Sequence, residues 1–548
     1  MPHVRITRAI AAAIASTLIV STYISLDSAS ASAVVTLRVC PSGCAFSQLA
    51  PAIAAAKSGD TVEVAAGTYK GGLAIDVSVK LVGAGAHTTI IRGGGPVVTI
   101  GASGGVSEPT VSITGVTITG GVTRSSPQSE PMTGMVGVIA AGGGVEIAPR
   151  ATVAISNSAI VDNRVAPLRA VAQGPPCPGG VRCPYAQAQG GGIDDSGKLT
   201  LTDTTISGNR VGAAAGLSNV ASDADGGAIN LNEGALTVIN STISDNTASA
   251  TAPNGRYADA GAIDAAIGTV TTIRNSSLTD NSATLAASEP NSVAANGGAG
   301  AGSGAIHVQS NASATISDTK ISGNSARMTN TLGDAEADSG GVHADVDLKL
   351  TGDVFADNRV YAATLAGSSG DAEGDSGAGE LSGTISNTRF TGNTVTVKAA
   401  NGSASGSSGA TLFGPGSISN SVVQANHLHV ASPGGTASAV GGGIETGSSF
   451  TPGEAAPQTL TNTPVSENTA EATGRSGTAR GGIFDEKVPN GPPGGPLTLI
   501  NTNVTHNTLS GSAGITLQGG GVFATFKLTL TDSAVTANTP DECAGTAC

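Results

Sequence analysis

One column of residues along this 548-residue chain carries groups that can move protons or hold metal ions. It follows a recurring cluster of small residues and one apolar residue, as in Gly190-Gly191-Gly192-Ile193 and Gly226-Gly227-Ala228-Ile229. The next residue in successive copies reads Glu146, Asp194, Asn230, Asp264, His307, His343, Glu380, Leu412, Glu445, Phe484 and Phe523. Strand alternation turns this residue outward when its apolar neighbour turns in. Asp194, Asp264, His307, His343 and Glu380 then form a line of acids and bases, with Asp195, Asn232, Gln309 and Asp345 nearby. A histidine beside a carboxylate can serve as a general base. Carboxylates one or two coils apart have spacings relevant to glycoside hydrolysis. His307 and His343 with Asp264 also make a transition-metal ligand set. The plain alternative, and the leading expectation, is a solvated face whose polar residues simply meet water.

A second acidic column precedes the small-residue cluster: Asp225, Asp259, Asp338 and Asp375, flanked by Asp223, Asp334, Glu336, Asp371 and Glu373. Stacked like charges repel unless hydrated or bridged. Calcium would relieve that repulsion with oxygen ligands. A flexible acidic loop explains the same residues without an ion, and the calcium-repeat pattern GGxGxDx is not present.

The element that must position both columns is a repeat. An apolar residue, two small or polar residues and then Asn recur at Asn163, Asn209, Asn246, Asn281, Asn324, Asn358, Asn393, Asn426, Asn468, Asn507 and Asn538. Neighbouring copies lie 31 (Asn507 to Asn538) to 46 (Asn163 to Asn209) residues apart. Runs such as Leu199-Thr200-Leu201-Thr202 alternate apolar and polar residues, the period of strands with one face inside. Short strands repeated at this interval describe the coils of a parallel β-helix, about 12–13 of them. Stacked about 4.8 Å apart, they make a rod on the order of 60 Å long. The Asn column is expected to form a structural amide ladder and to tolerate a left-handed backbone at its turns.

Ends of such a stack need covering, because an open coil exposes unpaired strand edges. Phe46 to Lys57 reads as an amphipathic helix placed to cap the first strands. The organisation expected is residues 1–33 a signal peptide, 34–60 an N-terminal cap with Cys40–Cys44, 61–540 the β-helix, and 541–548 a C-terminal cap with Cys543–Cys548. Arg5 and Arg8, the apolar run Ile10 to Val20 and Ala31-Ser32-Ala33 carry the export reading. Export makes disulfides natural for the three local cysteine pairs, Cys177 and Cys183 being the third; metal binding is the alternative. No later apolar stretch approaches the roughly 20 residues of a membrane span.

Composition sets limits. Aromatics are 2% and Trp is absent, which argues against one large conventional core, while 39% hydrophobic residues argue against disorder. A thin core of Val, Ile, Leu and Ala stacked many times remains. A net charge of −14 disfavours nucleic acid and anionic membranes as partners.

Some of these motifs resemble known families. Gly226-Gly227-Ala228-Ile229 is similar to the GGAI motif, and Phe355-Ala356-Asp357-Asn358 and Phe390-Thr391-Gly392-Asn393 to the FxxN motif, of polymorphic outer membrane protein repeats. The segment from Phe46 through Gly67-Thr68-Tyr69 to Val82-Gly83 resembles the capped start of pectin-lyase-like right-handed β-helices. The first resemblance implies a surface protein linked to adhesion, although no translocator barrel follows the repeats. The second includes pectate lyases and polygalacturonases, but no Asn-Thr-Asp, Gly-His-Gly or Arg-Ile-Lys set is present. The expected fold is therefore all-β: a right-handed, single-stranded parallel β-helix with a short N-terminal capping helix. The expected protein is monomeric and exported in bacterial fashion to the medium or the cell surface. Its expected role is non-catalytic binding of a polysaccharide or surface receptor, with no cofactor required beyond the calcium considered above. The alternative is a polysaccharide lyase or glycoside hydrolase working from the Asp194 to Glu380 face.

Overall fold

The run Leu199-Thr200-Leu201-Thr202 lies in the strand Lys198–Thr202, with both leucines buried and both threonines half-buried on the other side. The same alternation, repeated, builds a parallel β-helix in a computed structural model. Residues 34–101, 108–124, 126–129, 136–170, 185–215, 221–252, 257–288, 300–446, 456–485, 494–546 and 548 are described. The export segment 1–33 and the Cys177/Cys183 pair lie outside them.

Three sheets of 27, 21 and 14 strands run the length of the described chain, and their pairings are parallel except between Ser126–Ser129 and Val136–Ala141. The 14-stranded sheet takes one strand from each rung in chain order, so the described residues make 14 rungs rather than 12–13. Its first three strands, Gly67–Lys70, Thr89–Arg92 and Thr117–Thr119, precede the first ladder asparagine. A rung such as that of Asn246 uses five strands: Ile229–Leu231, Ala235–Ile239, Thr242–Ser244, Thr247–Ala252 and Tyr257–Ala260.

Two cores result. The main one stacks Val, Ile, Leu and three phenylalanines inside the coil. The second is thinner and rich in alanine; Ala248, Ala250 and Ala258 belong to it, between the outgoing and returning strands of the 21-stranded sheet. The described parts of Ala166 to Gln189 and Thr284 to Ala301 supply strands to this arch. Alanine alternating with serine or threonine has too little hydropathy contrast to announce a strand, yet its small side chains let two sheets pack closely.

The asparagine ladder is continuous. In each step the Oδ1 of one Asn accepts from both the backbone N–H and the Nδ2 of the Asn one rung before; for Asn324 and Asn358 the distances are 3.1 and 3.0 Å. Asn324 Nδ2 also donates to the Leu278 carbonyl at 2.9 Å. All eleven ladder side chains, Asn163 through Asn538, are buried. At the last rung the side chain of Glu542 takes the place of the missing asparagine, accepting from Asn538 N–H and Nδ2 at 3.2 and 2.9 Å. The left-handed backbone falls elsewhere than expected. It lies one residue before the ladder (Asp162, Asp245, Asp280, Asp357) and at the column six before it (Asn157, Asp203, Asn240, Asn275).

Helix Leu49–Ala55 buries Leu49, Ala52 and Ile53 in the main core. Disulfides join Cys40 to Cys44 and Cys543 to Cys548. Among the described residues no helix is long and apolar enough to cross a membrane.

Candidate functional site

The outward column stacks in the register read from the sequence. Cα partners run Glu146, Asp194, Asn230, Asp264, His307, His343, Glu380, Leu412, Glu445, Phe484 and Phe523 without a slip. It is not a solvated face, however. Asp194, Asn230 and Asp264 are 7%, 1% and 3% exposed. The cause is the returning strand of the alanine arch, which lays the second acidic column over the first.

Each rung makes this contact through a tight corner. Gly226, at φ +62°, and Gly227 connect Ala221–Asp225 to Ile229–Leu231; a Cβ on Gly227 would strike the Gly261 carbonyl oxygen of the next rung. Across such corners Asp259 comes within 4.8 Å of Asp264, and the charges of His343 and Glu380 act on Asp338 and Asp375. Ligand atoms of Asp259, Asp264 and His307 all lie within 4.8 Å of one another. The two columns therefore face each other across one narrow groove. The returning-strand column is interrupted by Gly302, which stands between Asp259 and Asp338 and contributes no side chain opposite His307.

The groove's polar groups serve one another. Asn230 and Asn232 each donate from Nδ2 to Asp194 Oδ1 at 2.9 Å. Gln187 Nε2 donates to Asp225 Oδ2 at 2.9 Å. His307 Nδ1 sits 3.0 Å from Asp264 Oδ1, and Gln309 Nε2 donates to both Asp264 oxygens. His343 lies between Glu380, 3.3 Å from its Nδ1, and Asp345, 3.4 Å from its Nε2. The two imidazoles meet edge to face at 5.2 Å. Asp195 behaves differently: its side chain is fully buried and accepts the Gly197 N–H.

Protonation follows from this packing. Burial pushes Asp194 up to about 6, against hydrogen bonds from Asn230 and Asn232. Burial and then the charges of Asp259 and Asp264 raise Asp225 well above the usual carboxylate range. For His307 burial opposes the charged form, but the Asp264 hydrogen bond and charge, with Asp345 and Asp225, outweigh it and raise its pKa. His343 is raised in the same way, with Glu380 and Asp345 overcoming burial.

Asp375 offers a clean test of the electrostatics. Burial is the largest cause of its rise, and the Glu373, Glu380, Glu445 and Glu336 charges add to it. A carboxyl raised in the folded state keeps a proton that the unfolded chain gives up above its ordinary value of 3.8. Its contribution to stability is full below that value and is lost as pH rises through the folded one. Asp375→Asn is neutral throughout, so its melting temperature should fall less between about pH 4 and about pH 8 than the parent's. Thermal melts across this range check it; an equal decline in both proteins would contradict the buried acidic groove.

Towards the last rungs the chemistry changes. Phe484 and Phe523 stack at 5.5 Å, with the Arg480 guanidinium 4.6 Å over the Phe523 ring. In the sequence the acidic column and the acid–base column stand as two separate sites. The constant five-residue offset from Asp225 to Asn230, Asp259 to Asp264, Asp338 to His343 and Asp375 to Glu380, each across at least three small residues, is the sequence signal of a shared corner. Two overlapping triads could hold a metal: Asp259, Asp264 and His307, and His307, His343 and Asp345. No family model matches this chain, and no curated protein matches it.

Proposed function

We propose that this protein is an exported β-helix that binds a polysaccharide or a surface receptor and does not catalyse its breakdown. The observation that carries this reading is the burial of the acid–base line. Asp264 is 3% exposed and hydrogen-bonded to His307, so neither group is free to approach a glycosidic bond in a chain lying on the surface. A glycosidase would need two carboxyls about 5–10 Å apart with sugar between them. Here ligand atoms of Asp259, Asp264 and His307, drawn from the two columns, lie within 4.8 Å of one another, too close to admit a sugar ring between them. Binding is left to the outer strand faces and the rung-to-rung segments, whose polar surface suits a neutral or cationic partner at a net charge of −14. The GGAI and FxxN motifs support the same reading through their resemblance to repeats of surface proteins linked to adhesion.

The test pairs retention with turnover. Purified protein is passed over insoluble neutral and acidic polysaccharides and over bacterial envelope preparations, and the same polymers are assayed for new reducing ends and unsaturated products. Retention without cleavage is the expected result. Cleavage abolished by Asp264→Asn or His343→Ala, with the strand circular dichroism intact, would replace this reading with the polysaccharide lyase or glycoside hydrolase.

A further inference from the structure

At the rungs of Asp264 and His307 the groove gathers side chains that can ligate a metal. Two carboxylates approach from opposite sides, Asp264 from the coil and Asp259 from the returning strand, and His307 supplies a nitrogen within 4.8 Å of both. One rung further, His343 and Asp345 bring a second nitrogen and a third carboxylate within the same distance of His307. Gly302 leaves the side of the groove opposite His307 without a side chain.

A second observation points the same way. Asp225, 4% exposed, uses only Oδ2 to accept from Gln187; its Oδ1 is buried with no hydrogen-bond partner among the described residues. In register it stands one rung before Asp259 on the returning strands. A buried carboxylate oxygen without a donor costs free energy, and a cation held between these carboxylates would offset that cost.

The donor set chooses the ion. Calcium and magnesium take oxygen ligands. Imidazole nitrogen beside carboxylate oxygen turns the preference towards zinc, copper, iron or nickel. We infer that the groove binds a first-row divalent transition cation through Asp259, Asp264 and His307, with His343 and Asp345 flanking it. The site is independent of the adhesive role proposed above: metal binding would survive the loss of that reading, and the reverse holds too.

The probe is zinc chloride, titrated into chelator-stripped full-length protein and followed by calorimetry and thermal melting. Saturable binding near one equivalent and a raised melting temperature are expected. Asp264→Asn and His307→Gln should each weaken the affinity about tenfold or more, the scale on which even supporting residues act at metal sites. His429→Ala, at an exposed His429–Glu471 pair 3.0 Å apart, should leave it unchanged. Should either groove variant lose its strand spectrum, cobalt(II) bound to the parent protein gives an independent readout: a visible absorption band of mixed nitrogen and oxygen ligands that excess zinc removes. Absence of zinc binding to the parent, affinity unchanged in both groove variants, or displacement of zinc by equimolar calcium would each overturn the assignment.

Discussion

Asn358→Leu should cost about 3 kcal/mol, because a side chain of similar shape replaces the ladder amide but neither accepts nor donates. The backbone N–H of Asn324, which donates to Asn358 Oδ1 at 3.1 Å, loses its acceptor in a buried site. The Ile321 carbonyl and Asn393 Oδ1 each lose the Asn358 Nδ2 donor at 2.9 Å. Repeat stacks are held by nearest-neighbour interfaces, so the damage should be local first. Hydrogen exchange should quicken in Ser325–Asn330, on the rung before the change, and in Arg359–Thr364, on the changed rung itself, well before distant rungs respond. A second amide row, Asn420, Asn462 and Asn501, supplies the contrast. Its side chains are exposed and bonded at 2.9 and 2.7 Å. Asn462→Gly keeps the residue's left-handed backbone accessible (φ 51°) and should change stability by no more than about 0.5 kcal/mol. Equal effects at the two sites would mean that burial is not what gives the inner ladder its strength.

Phe355→Ala is expected to cost about 3–5 kcal/mol, the range for emptying a large aromatic from a packed core. Phe355 and Phe390 are fully buried and stack at 5.1 Å with an interplanar angle of 25°. Across the coil, a Cβ on Gly341 would lie 3.4 Å from Phe355, so the wall beside this ring is already at contact distance. With so few aromatics in the chain, the neighbouring rungs have no large side chain with which to refill the space. Phe355→Ile should lose less than half as much, since Ile321 fills the same column one rung earlier. Chemical denaturation of the three proteins checks this; an alanine variant as stable as the isoleucine one would show a core able to collapse around the gap.

What the sequence revealed follows from contrast and constancy. The column from Glu146 to Phe523 keeps its register because all its members but Glu380 and Leu412 follow a Val or Ile that must point inward, and a one-residue slip would bury the wrong face. The ladder was legible because Asn recurs three places after a buried Ile, Leu, Phe or Val. Ala248 and Ala250 gave no such signal, since alanine differs little in hydropathy from the Thr and Ser around it. The alanine arch therefore carries no strand signal in the sequence, and the burial of Asp194 and Asp264 beneath it could not be foreseen. The left-handed turns expected at the ladder asparagines fall instead on the residue before, where Asp162 or Gly208 takes a positive φ.

Distances between spin labels test the stacking most directly. Thr200, Thr384, Thr459 and Thr498 share one outward column of the 27-stranded sheet, with Thr237, Thr272, Thr315, Lys349 and Ser417 between them. Labels at Thr200 and Thr384 span five rung steps, at Thr200 and Thr459 seven, and at Thr200 and Thr498 eight. At about 4.8 Å per step the backbone separations are about 24, 34 and 38 Å. Narrow distributions rising by that increment are the predicted result. Distances that fail to increase with rung number would contradict the stack, and with it the groove in which the two acidic columns meet.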